Sequence, residues 1–181
     1  MISCGGKPGL ALAARPPCDA HNLFALDYKP FAPRLRAGQR LQFSLRANAV
    51  VASAPGGQGR RGKRHDVVMH ALNAMPREQH AAERETLTHR AGVGWLVRQG
   101  ALHGFDIEPH RLTVDGHDQV RIARDGLKEK PITFSVLEFD GVLEVGDPAL
   151  FLRGLVSGFG GARAFGCGLM LIRRAPGDGK R

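Results

Sequence analysis

Cysteine is scarce in this chain: Cys4, Cys18 and Cys167 are the 3 in 181 residues, odd in number and far apart. No C-x-x-C occurs, which excludes a disulfide scaffold and a zinc ribbon and points to a reducing cytoplasm. Aromatic residues make up 6% of the chain, with Trp95 and Tyr28 the single examples of their types. That scarcity argues against a sheet that grips unstacked bases on several rings. No apolar run approaches the roughly 20 residues of a bilayer span. The apolar stretch at residues 9–14 falls short of the roughly 7–15 residues of a secretory signal core. Acidic residues are the minority charge, 17 against 26 Lys and Arg, a net charge of +9 with histidine neutral. An anionic partner is implied, nucleic acid ahead of membrane. Hydrophobic residues at 43% and charged residues at 24% make the chain globular, with room for one ordinary domain or two small ones.

Along the chain, residues 1–38 hold one candidate strand, at residues 10–14, followed by prolines that keep the backbone extended. Residues 39–51 are clearer. Leu41, Phe43, Leu45, Ala47 and Ala49 alternate with Gln42, Ser44, Arg46 and Asn48, the period of a strand with one buried face. A glycine-rich loop carrying Arg60, Arg61, Lys63 and Arg64 follows, then a short strand over residues 66–72. Pro76 opens a polar helix to about Gln99, with Leu87, Ala91 and Trp95 on its buried stripe. Residues 105–114 read as a strand and 115–130 as a charged loop. Residues 132–145 form a long β-type run whose phase slips near Val136 and Leu137, with Asp140-Gly141 marking a turn or bulge. Asp147 caps and Pro148 begins a second helix that stops at Gly158. Residues 167–172 close the chain as a strand buried on both faces. From Gln39 the order is βαββαβ, that of a ferredoxin-like α+β domain.

The sharpest motif is the run from Gly158 through Gly160, Gly161, Arg163 and Gly166 to Gly168. Glycines let backbone N–H groups approach a phosphate. The dinucleotide fingerprint fails because its third glycine position is Arg163, and the loop precedes a strand rather than a helix. The P-loop spacing fails because Cys167-Gly168 follows Gly166. Composition alone suits a tight turn equally well; Arg163 tips the reading toward an RNA-backbone contact. The basic run Arg60 to Arg64 read by itself is a solvated loop. Beside the glycine-rich loop and Arg173, Arg174, Lys180 and Arg181 it becomes part of a phosphate-tracking surface, which supplies affinity and salt dependence rather than sequence choice. The eight histidines (His21, His65, His70, His80, His89, His103, His110 and His117) show neither H-E-x-x-H nor zinc spacing and read as surface or half-buried residues. His65, beside Lys63 and Arg64, is the one singled out as a functional alternative. Structured RNA bound by shape and backbone fits this inventory best.

Several segments in order resemble one family: Leu41-x-Phe43-x-Leu45-Arg46-Ala47-Asn48, Gly62-Lys63-Arg64, Trp95-Leu96 with His103-Gly104-Phe105, the run from Phe139 to Pro148, and Gly158 to Leu169. Together they resemble the CasE family, the CRISPR-RNA-processing endoribonuclease subunit of type I-E Cascade, over about residues 10–174. The resemblance implies tandem ferredoxin-like (RRM-like) domains, the first present only as a C-terminal remnant (residues 1–38), the second complete (39–175), and a basic tail (176–181). It implies binding of the repeat hairpin of precursor CRISPR RNA, association with other Cascade subunits, and cleavage by 2′-hydroxyl attack without metal or cofactor. RNA contacts are expected at Lys63, Arg64, Gly158, Gly160, Gly161, Arg163 and Gly166. Two departures stand out. Ala49 replaces the proline that usually follows the R-A-N triplet. The Tyr-x-x-His pattern that often carries the family's catalytic histidine does not occur, since Tyr28 is followed by Lys29, Pro30 and Phe31. No catalytic residue is carried over, and this chain is expected to bind hairpin RNA weakly without cutting it. The alternatives are a non-catalytic subunit that holds a guide RNA and a basic scaffold protein without RNA specificity.

Overall fold

The computed structural model describes residues 31–52, 62–123 and 130–176. Strand β1 (Arg40–Ala47) leads to a small ribbon, β2 (Val50–Ala52) with β3 (Arg64–Asp66), then helix α1 (Val67–Leu72) and the long helix α2 (His80–His103). Strands β4 (Phe105–Ile107), β5 (Thr113–Ile122) and β6 (Ile132–Val145), helix α3 (Pro148–Ser157) and strand β7 (Met170–Arg174) complete it. The main sheet is antiparallel in the order β4-β6-β1-β7, and β5 also pairs with β6. Strands β4 and β5 share one place in the sheet, split by a 3-10 turn at Pro109–Arg111. With that place counted once, the strand–helix order from β1 is βαββαβ, the ferredoxin-like α+β fold.

The sheet buries one face. Leu41, Phe43, Leu45 and Ala47 of β1 and Leu137, Phe139, Leu143 and Val145 of β6 enter a core with Leu87, Trp95 and Leu96 of α2 and Phe151 and Leu155 of α3. Trp95 stacks on Phe139 with ring centroids 5.4 Å apart. At Gly92 a Cβ would lie 2.5 Å from Val114 Cγ1, so glycine lets α2 cross the sheet closely. The opposite face alternates in charge: Arg40, Gln42, Ser44 and Arg46 stand opposite Glu144, Val142, Asp140 and Glu138. These register positions bear no aromatic ring; Phe134 of β6 lies beyond them on the same face.

Four expectations are corrected. Residues 67–72 are helical rather than extended, because Asp66 Oδ1 accepts the Met69 N–H at 2.7 Å and caps the turn. Val67 and Val68 are β-branched, but their burial against the core overrides propensity. Residues 115–122 are strand rather than loop. They stay polar because β5 is exposed along much of its length, and its irregularity lies between Asp115 and Asp118. Strand β6 runs unbroken through Asp140-Gly141; a Cβ at Gly141 would lie 2.9 Å from Arg111 O, so glycine admits the β4–β5 corner there. Strand β7 pairs only with β1 among the described residues and leaves Leu171 46% exposed, so it is not buried on both faces. The expectation at Asp147 holds: its Oδ1 accepts from Ala149 N and Leu150 N, and Pro148 starts α3. Residues 31–39 form one turn and otherwise no helix or strand, while the strand expected at residues 10–14, the loop arginines Arg60 and Arg61, and residues 177–181 lie outside the described residues.

Candidate nucleic-acid interface

Past the end of β1, the chain from α3 to β7 packs along the β1 segment at Arg46 and Asn48. Asn48 forms an isolated antiparallel bridge with Gly161, whose N–H donates to Asn48 O at 2.9 Å. The Asn48 amide in turn donates to Ser135 O of β6 at 2.7 Å. Asn48 is 8% exposed, so both of its bonds are sheltered from water. It is a hinge pin between the glycine-rich loop and the root of the β5–β6 ribbon.

A second set of bonds fixes that root. The Ser135 hydroxyl donates to the Asp66 carboxylate, and His117 Nε2 donates to Asp66 Oδ1 at 3.0 Å. His117 Nδ1 meets the Arg84 guanidinium at 3.0 Å. Arginine can only donate, so Nδ1 accepts and the imidazole proton sits on Nε2. Asp66 thereby joins β3, α1, β5 and β6, and through Arg84 and His117 the set reaches α2. The cleft between α2 and β5, about 790 Å³, is lined by Arg84, Thr88, His89, Asp115 and His117 and carries both signs of charge.

The loop is built tightly. Phe159 is fully buried, its ring edge-on to Phe105 and His103. The N–H groups of Gly158, Phe159, Gly161, Gly166 and Gly168 donate to Gly154, Gly168, Asn48, Arg163 and Arg46 carbonyls. The glycine amides expected to cradle a phosphate at positions 158, 161 and 166 are thus spent inside the protein. Glycine serves close packing here instead: a Cβ at 160, 161 or 168 would meet Asn48 O, Asn48 Oδ1 or Phe159 O within 2.6 Å. Side chains remain as the groups that face outward. Arg163 is exposed on a 3-10 turn (Arg163–Phe165), and its guanidinium donates to Ser157 O. Burial, and secondarily the Arg163 charge, holds the half-buried His103 below the usual histidine range. Burial pushes the Cys167 thiol up, with Arg46 pulling the other way. Arg46 is exposed and pairs with Glu138 at 3.2 Å.

Lys63 and Arg64 stand exposed at the outer end of the β2–β3 ribbon. Ala52, opposite Arg64, is four residues past Asn48, about 13 Å at strand rise. Lys63 and Arg64 thus lie on the ribbon that follows Asn48 in the chain, and Arg163 on the loop that bridges to Asn48. His65 lies in β3 with its ring 6.0 Å from that of His70. Sequence reading missed Asn48, Asp66, His103 and His117 as parts of the site, although Arg46-Ala47-Asn48 was a visible triplet. Among the described residues no group of three or more His, Cys, Asp or Glu side chains is placed to hold a metal ion, and no helix is long and apolar enough to cross a membrane.

The model of a family described as CRISPR associated protein matches residues 5–174. The chain is 34% identical over 151 residues to the CRISPR-associated endoribonuclease Cse3 of Thermus thermophilus, covering 80% of this chain and 60% of that protein. Among solved structures it is similar to Cse3 bound to a 19 nt RNA, with a TM-score of 0.57 at 30% identity over 80% of this chain and 59% of the other. It is likewise similar to Thermus thermophilus Cse3 bound to an RNA representing a pre-cleavage complex, with a TM-score of 0.56 at 28% identity over 80% and 58%. The chain spans about 60% of the length of the curated relative it matches. With this match across most of its length, and with the ordered motifs that resemble CasE, the chain belongs to the CRISPR associated protein family.

Proposed function

We propose that this chain binds the repeat hairpin of CRISPR RNA and forms the RNA-holding part of a CRISPR endoribonuclease. The observation that carries the reading is the glycine-rich loop pinned to Asn48 with Arg163 exposed at its turn. Lys63, Arg64 and Arg163 supply phosphate contacts; Gly158, Gly160, Gly161 and Gly166 shape the loop that presents them. Residues 39–175 are the RNA-binding domain, residues 1–38 belong to a neighbouring ferredoxin-like domain, and 176–181 form a basic tail. The likeness to Cse3 bound to a 19 nt RNA supports RNA as ligand, and the resemblance to CasE implies the repeat hairpin and other Cascade subunits as partners. The few, widely spaced cysteines suit work in the cytoplasm.

The reaction assigned to the whole enzyme is attack of a ribose 2′-hydroxyl on the adjacent phosphate, which expels the 5′-oxygen and leaves a cyclic phosphate. It needs a proton acceptor at the 2′-oxygen, a donor at the leaving oxygen and cations beside the phosphorane. Arg163, exposed on the pinned loop, suits the last role. The test is a labelled repeat hairpin incubated with this chain in EDTA. Binding of the hairpin over a scrambled RNA supports the reading. Binding without cleavage identifies this chain as an RNA holder, cleavage identifies it as the nuclease itself, and equal binding of both RNAs refutes hairpin recognition.

A further inference from the structure

Among the described residues, Phe31 and Phe165 are the exposed phenylalanines. Phe165 is 37% exposed, and its ring stacks on Phe134 with centroids 5.4 Å apart and planes 29° from parallel. Phe134 lies in β6 opposite Val120, beyond Leu137, the last β6 residue that pairs with β1. The pair therefore lies beyond the β1–β6 pairing, where Asn48 links the glycine-rich loop to Ser135 of β6. Strand alternation puts Phe134 on the side of Glu138 and Asp140, away from the helices.

The turn that offers Phe165 is held in shape. Ala162 has φ +52°, an unusual left-handed conformation for a residue with a Cβ, and Gly166 has φ +83°. Phe165 N donates to Ala162 O at 2.9 Å, and Gly166 N donates to Arg163 O at 3.1 Å. Arg163 is exposed two residues before the ring, its guanidinium donating to Ser157 O, and Arg46 stands on the sheet face that carries Phe134, paired with Glu138 at 3.2 Å. A flat apolar ring backed by a second ring, with one arginine on the same turn and one on the same sheet face, is the composition that stacks a nucleobase and holds its phosphates.

We propose that Phe165, supported by Phe134, is a stacking platform for one unpaired nucleobase next to the repeat hairpin. Arg163 and Arg46 hold the phosphates on either side of that base. This deepens the RNA-binding reading and rests on it. The platform is local, so it differs from an array of rings across the strands.

The experiment compares two RNAs on the full chain: the repeat hairpin with its single-stranded flanks, and the same hairpin with blunt ends. Phe165→Ala and Phe165→Leu are each expected to weaken the flanked RNA about ten-fold and leave the blunt hairpin unchanged. Phe165→Tyr, which keeps a ring, is expected to restore affinity, whereas Phe165→Leu keeps the surface apolar without a flat face. A 2-aminopurine placed at the flanking positions is expected to be quenched at one position by the wild type and not by Phe165→Ala. Equal losses on both RNAs, or no loss on either, would overturn the platform while leaving hairpin binding intact. A wild-type chain that binds neither RNA would overturn the RNA reading and the platform with it.

Discussion

Two glycines of the same loop separate the cost of conformation from the cost of space. Gly160 has φ +78° and Gly166 has φ +83°, so alanine at either adopts a left-handed backbone that costs about 1–2 kcal/mol. At Gly166 nothing lies within 4 Å of an added Cβ, and that is the whole cost. At Gly160 the Cβ would lie 2.6 Å from Asn48 O and 3.1 Å from Trp95 Cζ2. The Asn48 carbonyl is held by the Gly161 N–H at 2.9 Å, and Trp95 is fully buried, so neither yields freely. Overpacking of this kind adds about 1–3 kcal/mol. Gly160→Ala is therefore expected to cost about 2–5 kcal/mol against about 1–2 for Gly166→Ala. In thermal melts at roughly 2–4 °C per kcal/mol, Gly160→Ala loses about 4–20 °C and Gly166→Ala about 2–8 °C. Hairpin affinity measured well below both midpoints is expected to fall with Gly160→Ala, because the loop must move off Asn48. Equal midpoints for the two variants would refute the packing argument.

Asp66→Ala removes a helix cap worth about 1 kcal/mol and leaves the His117 and Ser135 donors without their acceptor at about 1 kcal/mol or more each. Chemical denaturation is expected to show a loss of about 3 kcal/mol for Asp66→Ala. His103 titrates below its ordinary value of 6.5 in the folded state, so the unfolded chain binds the extra proton first. Stability is full above about pH 6.5 and falls as the pH drops through 6.5 toward the folded value. Melts from about pH 7.5 to about pH 5.5 check this, and His103→Asn is expected to flatten that part of the profile. Replacing Lys63, Arg64 and Arg163 together by glutamine is expected to reduce the slope of log affinity against log salt by about 2–3, with the fold's melting point little changed. An unchanged slope would remove these residues from the phosphate track.

Much of the framework is written locally. The alternation from Leu41 to Ala49 placed β1 and its buried face, and Asp147-Pro148 placed the start of α3 with its capping bonds. Asp140-Gly141 misled because the dipeptide of a tight turn also serves a close crossing, here of Arg111 over β6. Asp66 misled because a capping carboxylate stood before two valines, and the valines spoke for a strand. The charged segment after Val114 concealed β5, since an exposed strand paired along β6 needs little apolar sequence. The glycine-rich loop was legible as composition, yet its purpose was not. Its amides are spent on partners such as Asn48, and the Asp66 bonds span 51 residues to His117 and 69 to Ser135. No local pattern reports pairs so distant.

The most direct test of RNA holding is the affinity of the full chain for a labelled repeat hairpin and for a scrambled RNA of equal length at moderate salt, read by fluorescence anisotropy with wild type and Arg163→Gln. Hairpin recognition through this loop predicts that the wild type prefers the hairpin by about ten-fold or more, a difference of about 1.4 kcal/mol, and that Arg163→Gln weakens the hairpin complex. Equal affinity for both RNAs, unaffected by Arg163→Gln, would contradict it.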